Sequence, residues 1–200
     1  MQLKQDADGH DLDPADPDNW TVPTPIYRND ASLLNGNKQL AATASGGVGM
    51  SLDMTYFQDA DGRSYYAWQQ LGATYIATMD PKDPAHVTSS PVRIVTPEYA
   101  WNAAIAEGPN VTLRDGKLYL MFSGSGVGKT YTTGLAVADA SGTDLTDPAS
   151  WTVLNYPIQK SGPFNGEMQL GTGHGMWSED EDGNQIYVFH AYATKNLGSV

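Results

Sequence analysis

Three absences set the first limits on this chain of 200 residues. It contains no cysteine, so a disulfide framework, a thiolate metal site and a thiol nucleophile are all excluded. Basic residues are scarce, because 11 Lys and Arg stand against 23 Asp and Glu, for a formal net charge of -12. A surface this acidic repels phosphate backbones, so nucleic acid is not expected as a partner. No run approaches the roughly 18 apolar residues that a membrane span needs, so no membrane partner is expected either.

Helical periodicity is also nearly absent, apart from one short turn expected near residues 143–151. The length suits one domain with its own core. The chain holds 21 Gly, 12 Pro, 11 Tyr and 5 Trp, a composition typical of many short strands joined by tight turns. No charged-then-apolar leader follows Met1. The compartment stays open between export and the cytoplasm, because many exported bacterial enzymes also lack cysteine.

An acidic residue followed by glycine recurs at three places, each time ahead of a run that alternates as a strand does. The glycines are Gly62, Gly116 and Gly183, which lie 54 and 67 residues apart. Asp-Gly between such runs is a strong signal for a β-hairpin. A unit of this size built on a hairpin is typical of a propeller blade. We therefore predict an all-β chain made of propeller blades.

The repeats divide the chain into an incomplete set of about three blades of a single propeller domain. Residues 51–104 and residues 105–172 are expected to form one blade each. Residues 173–200 would begin the last blade, and residues 1–50 would be the tail of an earlier one. Known propellers close with about four to eight blades. The remaining blades are therefore expected from further sequence or from another chain.

A second turn motif supports the repeat. An Asp-Pro pair occurs at Asp80-Pro81 and again at Asp147-Pro148. The pairs that precede Trp20 are interpreted as the same turn from an earlier unit. The run Asp6-Ala7-Asp8-Gly9 copies the acidic-glycine turn, but no strand pattern follows it, so it is not counted as a repeat.

Each unit begins with one polar residue: Asp53 in the first, Glu107 in the second and His174 in the third. The innermost strands of propeller blades converge on the axis, so residues at equivalent places are expected to face one cavity. One such residue would be unremarkable, whereas three argue for a site. Paired carboxylates around a cavity the size of a sugar suggest glycoside hydrolysis, in which a carboxylic acid protonates the leaving oxygen.

Aromatic side chains near these positions are candidates to stack on sugar rings. Tyr56, Trp101 and Trp177 are predicted to bind substrate, with His174 as a further contact. Trp68 lies equally near in sequence but is interpreted as a core residue.

The run Ser-Gly-Ser-Gly-Val-Gly-Lys-Thr at residues 123–130 nearly matches a phosphate-binding P-loop. Its first position is Ser rather than Gly, and a strand pattern follows where a P-loop requires a helix. We therefore expect a loop at the rim of the cavity and no nucleotide site.

An ordered set of short motifs carries a family resemblance. These motifs are Ser-Leu-Asp-Met-Thr-Tyr-Phe at 51–57, Tyr-Ile-Ala-Thr-Met-Asp-Pro at 75–81, Glu-Tyr-Ala-Trp at 98–101, Glu-Gly-Pro at 107–109, Tyr-Leu-Met-Phe-Ser at 119–123, Tyr-Thr-Thr-Gly-Leu at 131–135, Trp151, Gly-His at 173–174 and Phe-His-Ala at 189–191. From about residue 13 to residue 192 the chain resembles glycoside hydrolase family 43. The likeness is to the side of the family that holds arabinofuranosidases and arabinan-degrading enzymes.

The resemblance implies a five-bladed β-propeller that hydrolyses glycosidic bonds with inversion, of which this chain would carry roughly the last three blades. Glu107 matches the general acid, and Asp53 matches the carboxylate that modulates the pKa of that acid and orients it. His174 matches the histidine of the last blade, which lies near the axis and in several members helps to hold a central calcium ion or water. A structural calcium near His174 is therefore implied, and no cofactor is required.

Four departures from the family pattern bear on activity. The family's general base lies in the first blade, in an Asp-Pro motif followed by a strand, and nothing before Ser51 has that context. The base is therefore expected upstream of Met1. The Trp-Pro-Glu strand of the second blade is missing, Asn102 stands where a Glu often follows the tryptophan, and the closing arginine-bearing strand after Tyr192 is absent.

The expected substrate is an arabinose- or xylose-containing oligosaccharide or polysaccharide of the plant cell wall, cleaved at α-L-arabinofuranosyl linkages. A β-xylosidase or galactosidase on the same frame is the alternative enzyme. A non-catalytic carbohydrate-binding module is the alternative from another class. The general base distinguishes the classes, because a chain without it binds sugar yet does not activate water by the usual route.

Overall fold

A computed structural model describes residues 1–31, residue 34 and residues 51–193 of the chain. Almost all regular secondary structure within these residues is β, so the all-β prediction is confirmed. Three single turns of 3-10 helix accompany the strands, at Pro17–Asn19, Ala100–Asn102 and Pro148–Ser150. The last of them is the turn expected near residues 143–151. The described residues include no helix with the length and apolar character that crossing a membrane requires.

Twelve strands in the described residues form three sheets, and every pairing between these strands is antiparallel. The first sheet contains β1 Ser51–Gln58, β2 Ser64–Gln70, β3 Ala73–Asp80, β4 Asp83–Val87 and β5 Val92–Val95. The second contains β6 Ala106–Arg114, β7 Lys117–Gly124, β8 Thr132–Asp139 and β9 Thr152–Val153. The third contains β10 Gly162–Phe164, β11 Glu167–Glu179 and β12 Gln185–Ala193.

The three acidic-glycine turns join the hairpins β1–β2, β6–β7 and β11–β12, as predicted. At the first turn, Asp59 Oδ1 accepts hydrogen bonds from the backbone N–H groups of Asp61 and Arg63, at 3.0 and 2.8 Å. Asp180 repeats both bonds at the third turn. The middle turn is different, because Asp115 and the glycine after it are both left-handed, as a two-residue type I′ hairpin requires.

The N-terminal segment contains copies of both turn motifs. Asp6 Oδ1 accepts from the N–H groups of Asp8 and His10, both at 2.9 Å, which is the bonding of the other Asp-x-Asp-Gly turns. Only an isolated bridge between Gln5 and Asp11 flanks it, so the expectation that no strand follows is correct.

Residues 13–20 fold as residues 144–151 do. In each segment an Asp side chain accepts a hydrogen bond from the N–H two residues on, and a proline begins a 3-10 turn. The indole N–H groups of Trp20 and Trp151 then donate to the carbonyl six residues earlier, at 3.0 and 2.9 Å. The segment therefore repeats the turn at Asp147-Pro148. Asp80-Pro81, which the sequence grouped with them, is different, because it lies at the hairpin turn between β3 and β4. Residues 35–50, the remainder of the expected tail, lie outside the described residues.

The main core lies between the first two sheets, where β1 and β2 pack against β6. Its largest fully buried side chains include Tyr65, Ile76, Leu120 and Phe122. Trp68 is fully buried in a smaller cluster on the other face of the first sheet, which agrees with its interpretation as a core residue.

The third sheet begins earlier than the sequence indicated. Asn165 and Gly166, both left-handed, form a two-residue turn that joins β10 to β11, so the boundary expected between residues 172 and 173 lies inside β11. This strand packs against β6 and β7. Met176 and Val188 form a cross-strand pair on the other face of the sheet, and more than half of each side chain is exposed.

Candidate active site

The first strand of each of the three long hairpins, β1–β2, β6–β7 and β11–β12, carries a β-bulge at a similar place. One extra residue lies between the register positions Leu52 and Thr55 in β1, Glu107 and Asn110 in β6, and Gly173 and Met176 in β11. The residue that follows the first register position is left-handed every time: φ is 57° at Asp53, 59° at Gly108 and 47° at His174. Bulges of this kind re-aim side chains next to active sites.

The bulges correct one step of the sequence interpretation. Asp53 and His174 do occupy equivalent positions, but their equivalent in the second sheet is Gly108 rather than Glu107, which lies one residue earlier. The bulge position of the second sheet has no room for a side chain. A Cβ atom on Gly108 would lie 3.2 Å from both Nδ1 and Cε1 of His174, because the histidine ring occupies that space. The polar side chain is therefore carried by the residue before it.

Hydrogen bonds and one close contact link the three strand segments that carry the predicted polar residues. Asp53 Oδ2 accepts a hydrogen bond from the backbone N–H of Gly108, the residue after Glu107, at 3.2 Å. Asp53 Oδ1 lies 3.8 Å from His174 Nε2. The backbone N–H of His174 donates to Ser123 Oγ at 2.6 Å, and Ser123 is the cross-strand partner of Glu107. Three inner strands therefore meet at one group of ionisable side chains.

Tyr131, immediately before β8, completes this group, although the sequence analysis did not single it out. Its hydroxyl donates to Glu107 Oε1 at 2.6 Å and lies 3.2 Å from His174 Nδ1. Burial, together with the hydrogen-bonded Glu107 carboxylate, raises the pKa of Tyr131, so the phenol keeps its proton. We refer to Asp53, Glu107, Tyr131 and His174 as the bulge cluster.

Tyr56 lies apart from the bulge cluster. It is about half exposed, and its hydroxyl is 3.2 Å from Ser64 Oγ. With Met54 and Tyr66 it lines a cavity of about 570 Å³ between the first sheet and the N-terminal segment. No member of the bulge cluster lines this cavity, and a substrate-binding role for Tyr56 stays a prediction.

The two predicted tryptophans are held by backbone carbonyls. Trp101 donates its indole N–H to the carbonyl oxygen of Asn155 at 3.1 Å, and it lines a separate cavity of about 340 Å³. Trp177 donates its indole N–H to the carbonyl oxygen of Tyr119 on β7 at 3.2 Å, so it packs between the third and second sheets. Their roles in sugar binding also stay predictions.

Asn102, which stands where the family pattern often has a Glu, has a structural place. It is fully buried, and its Oδ1 accepts a hydrogen bond from the backbone N–H of Tyr99 at 2.9 Å. A Cβ on Gly124 would lie 2.6 Å from the Cβ of Asn102, so this side chain packs directly on the end of β7.

The P-loop-like run does not form a phosphate loop. It begins on β7, turns at residues 125–130, and is followed by strand β8 rather than by a helix. The strand expected after this run is present, whereas the place of the loop at the rim of the cavity stays a prediction.

The calcium site implied near His174 finds little support in the side chains around it. Calcium takes six to eight oxygen ligands. In the part of the chain that the structure describes, the grouping of three or more possible metal ligands is Asp6, Asp8 and His10, on an exposed turn. The described side chains beside His174 do not by themselves make a calcium site. The calcium stays a prediction, and no step below uses it.

Blade-like sheets that meet at a polar cluster on their innermost strands define a segment of a β-propeller. The profile of the glycosyl hydrolases family 43 matches residues 37–199, and the chain belongs to that family. The extracellular exo-α-(1→5)-L-arabinofuranosidase of Streptomyces chartreusis is 33% identical over 159 residues, which cover 74% of this chain and 46% of the relative. The chain therefore spans less than half the length of this curated relative.

Solved structures show the same fold. An α-L-arabinofuranosidase from Lactobacillus brevis superposes with a TM-score of 0.71 at 26% identity, covering 96% of this chain and 59% of that one. An endo-1,4-β-xylanase from Bacteroides thetaiotaomicron superposes with a TM-score of 0.60 at 26% identity, covering 72% of this chain and 50% of that one.

Proposed function

We propose that this chain supplies the general-acid side of the active site of an inverting glycoside hydrolase. Its substrate would be an α-L-arabinofuranosyl linkage in plant cell-wall polysaccharide or oligosaccharide. The observation that carries the proposal is the bulge cluster, in which Asp53 of the first sheet accepts a hydrogen bond from the peptide that follows Glu107 of the second, while Tyr131 donates to Glu107. The arabinofuranosidases among the similar proteins support the choice of sugar.

Inversion needs one carboxylic acid to protonate the leaving oxygen and one carboxylate to activate water on the opposite face of the sugar. Glu107 is the acid in this proposal. Asp53 is the modulating and orienting carboxylate, because its hydrogen bond to the N–H of Gly108 fixes the peptide that follows Glu107.

The general base is assigned to the remaining propeller blades, which further sequence or another chain would supply. The exposed outer face of the third sheet supports this assignment, because a blade of a closed propeller packs against a neighbour on each side. We therefore expect the 200-residue chain alone to show no turnover, whatever sugar it binds. Robust hydrolysis by this chain alone would contradict the assignment.

The test of the acid role is Glu107→Ala in the enzyme that carries the full propeller. General acid catalysis contributes about 10²- to 10⁴-fold, so kcat/KM on an arabino-oligosaccharide should fall by about that factor. An aryl arabinofuranoside with an activated leaving group needs little protonation and should lose far less. Glu98→Ala, at an exposed glutamate outside the bulge cluster, is the control and should change neither rate.

Two results would contradict the proposal. Equal losses on both substrates would remove Glu107 from the acid role. A first-formed product that keeps the anomeric configuration of the substrate, observed by proton NMR during hydrolysis, would show retention rather than inversion.

A β-xylosidase or galactosidase on the same frame is the second candidate, and the likeness to a xylanase favours the xylose-cleaving form. Parallel assays with aryl arabinofuranosides, xylosides and galactosides separate the three sugars. A non-catalytic carbohydrate-binding role predicts calorimetric binding of the oligosaccharide without hydrolysis by the full propeller.

A further inference from the structure

Tyr131 belongs to the bulge cluster, but the proposed function gives it no task. Its ring is held on two sides. A Cβ on Gly173 would lie 2.4 Å from Cδ1 of the tyrosine, so the missing side chain makes room for the ring. His190 stacks on the ring with centroids 5.6 Å apart. The residue is fully buried, so the position of its hydroxyl is fixed by packing.

The hydroxyl is 2.6 Å from Glu107 Oε1 and 3.2 Å from His174 Nδ1. The Ser123 side chain is a further hydrogen-bonding neighbour of the phenol. A phenol carries one proton, and its other contacts use the lone pairs of the oxygen. The shortest measured contact selects Glu107 as the acceptor of that proton.

The two oxygens of Glu107 are therefore not equivalent. Oε1 is occupied by the phenol, whereas Oε2 has no hydrogen-bond partner among the described residues. In a protonated carboxyl group, the oxygen that accepts a hydrogen bond is the carbonyl oxygen. The transferable proton then belongs to the other oxygen.

We propose that Tyr131 positions the general acid: by donating to Oε1 it holds the carboxyl of Glu107 so that Oε2 presents the proton to the glycosidic oxygen. This inference rests on the proposed role of Glu107. In the step, the O–H bond at Oε2 breaks and its proton bonds to the leaving oxygen while the bond from that oxygen to the anomeric carbon breaks. The electron pair of the O–H bond stays on Glu107. The resulting carboxylate keeps the phenol donor, whose hydrogen bond becomes charge-assisted.

The test compares Tyr131→Phe with Tyr187→Phe in the enzyme that carries the full propeller. Both changes remove one oxygen atom and keep the ring. The Tyr187 hydroxyl also makes a short hydrogen bond, 2.5 Å to Thr133 Oγ1, but it does not contact Glu107. Misplacement of a reacting group by about 1 Å can cost about 10²-fold. Tyr131→Phe should therefore lower kcat/KM on an arabino-oligosaccharide by about 10- to 100-fold.

The leaving-group dependence separates positioning from a structural role. On an activated aryl arabinofuranoside, Tyr131→Phe should cost less than about threefold, because little protonation is needed. Tyr187→Phe should change both substrates by the same small factor. Equal losses on the two substrates for Tyr131→Phe would overturn the positioning role.

Glu107→Ala, measured beside these variants, distinguishes the two proposals. If its losses depend on the leaving group but those of Tyr131→Phe do not, only the positioning role fails. If neither depends on it, the acid role fails and the positioning role with it.

A spectroscopic readout needs no turnover. In the 200-residue chain, the infrared carboxyl bands of Glu107 are those that disappear in Glu107→Gln. Tyr131→Phe should shift these bands, since it removes the hydrogen bond to Oε1, and Tyr187→Phe should leave them in place. Unshifted bands in Tyr131→Phe would overturn the proposal.

Discussion

The two ends of the long hairpins differ in what they repeat. At the turn end, β1–β2 and β11–β12 repeat both the sequence Asp-x-Asp-Gly and its hydrogen bonds. At the bulge end, all three hairpins repeat the extra residue and its left-handed backbone, yet the residues are Asp53, Gly108 and His174. The turn is made by a side chain that bonds the backbone, so it requires one residue type. The bulge is made by strand pairing, so its side chains are available for chemistry.

The turn end has a contrast of its own, between Asp59 and Asp180. The side chain of Asp59 is fully buried, and its Oδ2 accepts from Arg63 Nε at 2.7 Å and from the Tyr65 hydroxyl at 3.1 Å. Asp180 is only partly buried, and its Oδ2 accepts from Asn184 at 3.0 Å. The same turn therefore contributes to the core in the first sheet and mainly to local structure in the third.

The largest effect that would sharpen the first comparison is expected for Gly108→Ala. Alanine at this φ of 59° is strained, and its Cβ would lie 3.2 Å from the His174 ring. Displacing that ring disturbs the bulge cluster, so we expect kcat/KM of the full enzyme to fall by about 10²-fold. The measurement is steady-state hydrolysis of an arabino-oligosaccharide.

Gly116→Ala is the matched control. Its φ of 74° imposes the same kind of backbone strain, but a Cβ there meets nothing within 4 Å. Both variants should lose about 1–2 kcal/mol of unfolding free energy, since L-residues pay about that in the left-handed region. Only Gly108→Ala should lose activity. If the two variants lost activity equally, the bulge would have no special link to the site.

This contrast also explains how far the sequence could predict the molecule. The hairpins at Gly62, Gly116 and Gly183 are predictable because turn chemistry is local, and the Asn165-Gly166 turn carries the same kind of local signal. The repeat predicted that the segments of Asp53, Glu107 and His174 lie close together, but it treated Glu107 as the equivalent residue where the structure has Gly108. The bulge was not predicted, because it depends on a register between strands that sequence spacing does not reveal.

Tyr131 shows most clearly what the sequence does not reveal about the site. Its strand was predicted, and it belonged to one of the family motifs. Its task depends on Gly173, 42 positions further along the chain in the next sheet, which leaves room for its ring. No local pattern connects the two residues, so only the packed structure pairs them.

The second prediction tests the contrast within the turn end. Asp59→Asn removes a buried charge that bonds Arg63, and hydrogen bonds to charged groups contribute about 1.5–3 kcal/mol. We expect the free energy of unfolding to fall by about that amount. Asp180→Asn, at the exposed turn, should shift the denaturation midpoint much less. Urea unfolding of both variants of the 200-residue chain measures the difference, and equal shifts would mean that burial of Asp59 adds nothing to the turn.

The smallest effect concerns pH, and it depends on Tyr65, which has no phenol counterpart at the Asp180 turn. Burial and the neighbouring Asp59 raise the pKa of Tyr65 from 10.0 to about 12. A raised pKa in the folded state means that the folded chain holds this proton more tightly than the unfolded chain does. The stability linked to it is therefore complete below about pH 10 and is lost as the pH rises towards 12.

Urea midpoints measured at pH 9, 10 and 11 should therefore fall more steeply for the wild-type chain than for Tyr65→Phe, which has no proton to lose. Tyr187→Phe is the control, because burial also raises the pKa of Tyr187, whereas no carboxylate of the described residues contributes to that shift. The midpoints of Tyr187→Phe should also fall less steeply than those of the wild-type chain, but the difference should be smaller than the one for Tyr65→Phe. Parallel curves for the wild-type chain and Tyr65→Phe would show that folding does not raise the affinity of the Tyr65 phenol for its proton.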